Sequence, residues 1–131
     1  IVFGLLALLL YGYYGPFVYP MFSILLGILV TGFSLRTYEA QTLLVGASGV
    51  VYLMAAFWLT LYLLVERRFR MGKRLIRAAG FALIVLVPTA VEPAVSYRTH
   101  AIGFGTGVVF ALVYFAAKKD SIRLAEHIVF E

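Results

Sequence analysis

The 131-residue chain has no cysteine, six acidic residues and two histidines. Without thiols it forms neither disulfides nor thiolate metal sites, and no cofactor or metal is expected. Charge is scarce, at 13% of residues, while 63% are hydrophobic and the mean hydropathy is +1.00. A soluble domain is about 45 to 50% apolar, so this composition belongs in a bilayer. No basic stripe interleaves with exposed aromatics, so the net charge of +5 does not imply a nucleic-acid partner. The strand alternation that a membrane barrel needs is also absent, which leaves helices as the only spanning structure.

The apolar residues fall in five segments: 1 to about 14, about 17 to 35, 43 to 65, 75 to about 91, and 100 to 117. A span takes roughly 17 to 25 residues, so all but the first are long enough, the fourth marginally. Gly15, Pro16 and Pro20 separate the first from the second, because a continuous helix does not tolerate them well. The chain starts at Ile1, already inside an apolar run, and is expected to lack an upstream part. A single bundle over residues 1–131 is the economical domain reading.

Charge sets the orientation. Arg67, Arg68, Arg70, Lys73, Arg74 and Arg77 follow the third span, and Lys118, Lys119 and Arg123 follow the fifth; together they are nine of the eleven basic residues. The other two connections hold only Arg36 and Arg98. With helices alternating in direction, both rich segments fall on one face, which the positive-inside rule makes cytoplasmic. The basic excess is thus an insertion signal and an attraction to anionic lipid. Glu39, Arg36 and Arg98 belong to the opposite, outer face, and His127 to a charged tail.

The third span, "LLVGASGVVYLMAAFWLTLYLL" over residues 43–64, carries no charge, yet Ser48 stands near its start between Gly46 and Gly49. Five residues at ~1.5 Å each place that hydroxyl about 7 to 8 Å below the outer end. His100 opens the fifth span from the same side. A lone serine in such a helix usually bonds its own i−4 carbonyl, but an ionisable residue in a span is by default functional. Beyond His100, "HAIGFGTG" sets Gly103 and Gly107 on one ridge, the G-x-x-x-G spacing that admits another helix to backbone contact. A short serine side chain reaches an imidazole only across such a contact. Tyr52, one turn below Ser48 on the same face, is placed to hold the imidazole. On the second span, Ser23, Gly27 and Thr31 form a small-residue stripe suited to helix packing.

"GASGVVYL" followed some fifty residues later by "THAIGFGTG" resembles the rhomboid intramembrane serine proteases, with Gly46, Ser48, Gly49, Tyr52, His100, Gly103 and Gly107 at matching positions. The resemblance implies an all-α, polytopic transmembrane bundle with five of the six core helices present and the first missing. It implies a Ser48–His100 dyad, with Gly46, Gly49 and Tyr52 forming or positioning the site, and Gly103 and Gly107 supporting the helix contact. Transmembrane protein substrates would be cut near the non-cytoplasmic surface of the plasma membrane. No Asp or Glu in the spans is placed to orient His100 as a third member, and Glu92, at the outer end of the fourth span, is the lesser candidate for a catalytic role. The match also places Gly4 where the family usually carries an oxyanion-binding Asn. A rhomboid-like pseudoprotease that binds membrane clients is the alternative reading, against which the chain keeps both Ser48 and His100.

Overall fold

The structure, a computed structural model, describes residues 1–37, 48–67, 69–90 and 97–129, with side chains for all of these except 85, 88–90 and 123–129. The described residues form five α-helices: α1 (Val2–Tyr14), α2 (Ser23–Arg36), α3 (Ser48–Val65), α4 (Met71–Ala90) and α5 (Tyr97–Val129). There is no strand among the described residues. The fold is the expected all-α helical bundle.

Each boundary has a local cause. Helix α1 ends at Gly15, whose φ of 78° is in the range that only glycine adopts without strain and whose amide returns to the Tyr11 carbonyl at 2.9 Å. The second segment was expected to be one helix from about residue 17, and here the structure differs. Tyr19, ahead of Pro20, takes extended dihedrals (φ −131°, ψ 130°), so Phe17–Phe22 is a kinked, π-helical turn and regular α-helix resumes only at Ser23. A proline disfavours helical geometry in the residue before it, which is the force that breaks the segment. The Ser23 hydroxyl closes the break by donating to the Val18 carbonyl at 3.1 Å.

Helix α4 starts four residues earlier than expected, at Met71 rather than Leu75, and takes Lys73 and Arg74 into its first turn. With Arg77 they occupy its first two turns, so the uncharged part of α4 within the described residues covers 78–90. Among the described residues, three stretches are long and apolar enough to cross a membrane: Phe17–Arg36, Ser48–Val65 and Tyr97–Ile122. Helix α5 overruns its expected end at residue 117 and continues through the tail, including the backbone of His127. Nothing after Gly107 breaks it, because the remaining sequence has neither glycine nor proline, and the stretch 116–127 is mostly Ala, Lys, Arg, Leu and Glu.

Helix α3 is the centre of the bundle, with Met54, Ala55, Ala56 and Leu61 fully buried. Helix α5 runs parallel to it, with Gly49 against Gly103, Leu53 against Gly107 and Phe57 against Phe110. Helix α1 runs the same way. Leu10 and Leu53 line one small cavity, and the Tyr14 ring stands edge-on to Phe57 and Tyr114 at 5.8 and 5.9 Å. Helix α2 fits between them in the opposite sense, with Gly27 under Val50, Val30 beside Gly49, and the Thr37 carbonyl accepting from the Arg98 guanidinium at 2.8 Å. Its buried line is Ser23, Gly27, Val30 and Ser34. Thr31, expected in that stripe, faces outward and bonds the Gly27 carbonyl at 2.9 Å. The turn of about 100° per residue carries i+7 and i+11 onto the face that i+8 leaves.

Candidate active site

The site lies on the seam between α3 and α5. A methyl group on Gly103 would run into the Gly49 carbonyl, and one on Gly107 into the Leu53 carbonyl and, at 2.9 Å, the Ala56 methyl. On α3, a Cβ at Gly49 would lie 2.8 Å from the Thr99 methyl and 3.2 Å from Val30. These glycines let two backbones touch. Lipid supplies no hydrophobic drive between helices, so the seam is held by close van der Waals packing. Gly105, between the two ridge residues, turns outward and would meet nothing within 4 Å.

Contact at Gly49 and Thr99 brings their chain neighbours, Ser48 and His100, to the same end of the seam. His100 is 4% exposed and stacks on the Tyr52 ring, with centroids 3.9 Å apart and planes 13° from parallel. Tyr52 is itself buried, and its hydroxyl donates to the Leu86 carbonyl of α4 at 3.0 Å. The imidazole thus rests on a ring that is fixed at its far end. Its Nε2 is buried and has no hydrogen-bond partner among the described residues. Ser48 is half-buried at the start of α3 and makes no hydrogen bond to that nitrogen.

Other expected residues take different places. Gly46, Glu39 and Glu92 lie outside the described residues, as does the His127 side chain. Arg36 is exposed, and Arg98 ties α5 to α2. Gly4 is exposed, and a Cβ there would meet nothing within 4 Å, so packing does not demand a glycine. The pairings Tyr14 with Phe57 and Leu10 with Leu53, counted upward along parallel helices, bring Gly4 level with Ser48 at the start of α3. The Leu86 carbonyl and Thr99 were missed from sequence. A carbonyl acceptor has no residue-type signature, and Thr99 is marked only by preceding His100.

A hydroxyl and a buried imidazole with an unengaged nitrogen, on two helices in backbone contact, have the composition of a nucleophile and its base. The class defined by this arrangement is a multi-pass membrane protein with a polar site sunk into its helical bundle. Among protein-family models, the Rhomboid domain matches residues 1–117, and the chain belongs to the rhomboid family, which comprises intramembrane serine proteases and their pseudoprotease relatives. Comparison with curated proteins and with solved structures gives no match.

Proposed function

We propose that the protein is an intramembrane serine endopeptidase that cuts transmembrane segments of other membrane proteins with Ser48 and His100. The observation that carries the reading is the fixed imidazole: His100 is stacked on Tyr52 and its buried Nε2 is unengaged, at the end of the seam that Ser48 also occupies. Nε2 takes the Ser48 proton as Oγ attacks the scissile carbonyl, then returns a proton to the leaving amine. Water hydrolyses the acyl-enzyme by the reverse sequence. Catalytic hydrogen bonds are commonly long before substrate binds, so the open Ser48–His100 geometry is compatible with a resting dyad. The Ser48 backbone amide, beside Gly46 in sequence, would serve as an oxyanion donor, and Gly49 supports the site by letting α5 approach. Tyr52 positions His100 in place of a third carboxylate.

With the basic connections on the cytoplasmic side, the site opens toward the non-cytoplasmic face of the plasma membrane. A stable helix hides its carbonyls, so substrates with Gly or Pro near that face suit best. In the intact protein, a fluorophosphonate should label Ser48 covalently, and His100→Ala should abolish most labelling while the fold persists. Equal labelling of Ser48→Ala and the parent would refute the assignment. The second reading, a client-binding pseudoprotease, draws on Gly4, where an expected donor is replaced by open space. It requires no labelling in the parent, together with retention of a membrane-protein client.

A further inference from the structure

Arg74 is a largely buried cation, 7% exposed, whose Nε has no hydrogen-bond partner among the described residues. Removing a partner from a buried charge is strongly destabilising, which makes such a group a poor structural element by itself. Its surroundings raise the positive field further. Arg67, Arg70, Lys73 and Arg77 are exposed around it, with the Arg77 guanidinium 3.9 Å above the Phe69 ring. The register that sets Gly49 against Gly103 brings Lys118 and Lys119 level with Leu64 and Val65, at the same end of the bundle. Glu66 and Asp120 are the described carboxylates at this end, and Glu126 belongs to it by sequence.

The same turn of α4 is greasy on its outer side: Met71, Leu75 and Ile76 are 57%, 52% and 73% exposed. A guanidinium offers a planar fork that matches phosphate oxygens. A free phosphate would make no use of the neighbouring apolar side chains, whereas an acyl chain would cover them. We propose that the Arg74 turn binds the phosphate of an anionic glycerophospholipid. Arg74 is the buried ligand, Arg70 and Lys73 are the rim cations, and the acyl chain leaves along the exposed Leu75 beside Arg74. The site is independent of the proteolytic reading and lies at the opposite end of α3 from Ser48.

The test uses the full-length protein in nanodiscs of phosphatidylglycerol or phosphatidylcholine, read by melting temperature and by lipid retention in native mass spectrometry. The parent should melt higher in phosphatidylglycerol and retain that lipid. Arg74→Met, which keeps bulk and removes charge, should lose the increment and lower retention about tenfold or more, the scale of one or two charge-assisted hydrogen bonds. If Arg74→Met does not fold, the exposed double variant Arg70→Gln/Lys73→Gln should lower retention severalfold with the fold intact. Three results would overturn the proposal: equal stability of the parent in both lipids, full retention in the double variant, or an equal increment from inorganic phosphate added to phosphatidylcholine discs. A fourth is destabilisation by Glu126→Gln matching that by Arg74→Gln in phosphatidylcholine, which would make Glu126 the missing partner.

Discussion

Gly103→Ala and Gly105→Ala place the same methyl group two residues apart on α5 and should act with opposite sign. Both gain the helix-propensity difference between glycine and alanine, about 1 kcal/mol. At Gly105 the methyl meets nothing within 4 Å, so that gain stands alone. At Gly103 it collides with the Gly49 carbonyl group, whose carbon would lie 3.2 Å away and whose oxygen would lie closer still. Backbone cannot swing aside as a side chain can, so the two helices must part by about 1 Å, and overpacking of this kind costs about 1 to 3 kcal/mol. The propensity term cancels in the comparison. Gly103→Ala should therefore be about 1 to 3 kcal/mol less stable than Gly105→Ala in reversible unfolding from mixed micelles. Parting α3 from α5 also shifts His100 relative to Ser48, and a misplacement of that size costs about 100-fold in rate where two groups must meet. Fluorophosphonate labelling of Ser48 should fall by that order in Gly103→Ala and stay within twofold of the parent in Gly105→Ala. Equal stability and equal labelling of the two variants would refute the backbone contact on which the site depends.

Other expectations follow from single contacts. Tyr52→Phe keeps the stack under His100 and loses the bond to the Leu86 carbonyl, so stability should drop by about 0.5 to 1.5 kcal/mol with labelling reduced severalfold. Tyr52→Leu removes the stack as well and should label more slowly than Tyr52→Phe; the order is checked by labelling time courses. Gly4→Asn has room to fold and, at the depth of Ser48, should raise turnover if it restores an oxyanion donor; an unchanged rate in a folded variant rejects that role. Ser34 is fully buried and its Oγ has no partner among the described residues, so Ser34→Ala should be neutral or stabilise by about 1 kcal/mol in the same unfolding assay.

The helices were legible because lipid imposes a simple rule, long uncharged runs between charged turns, and Gly15 and Pro20 mark their break in plain sight. The ends were less legible. Helix α4 begins among its cations and α5 outlasts its apolar stretch, since charged residues are good helix formers and mark where lipid ends rather than where helix ends. On α2, spacing picked Ser23 and Gly27, but Thr31 lost its place to Val30 and Ser34, because small size alone does not decide which way a residue faces. At the site, glycine spacing pointed to the seam, and Tyr52 and His100 were within reach of sequence reasoning because their period puts them there. The anchor of Tyr52 at Leu86 was not, since it depends on the tertiary placement of a main-chain oxygen 34 residues away.

Helices α3 and α5 enter the bundle side by side and point the same way. Each carries about half a positive elementary charge at its leading end, so the mouth between them is electropositive before any side chain is counted. Two aligned macrodipoles repel, and the antiparallel α2 beside them offsets part of that repulsion. A reaction that gathers negative charge on oxygen is favoured at that mouth, while one that gathers positive charge there works against the backbone itself.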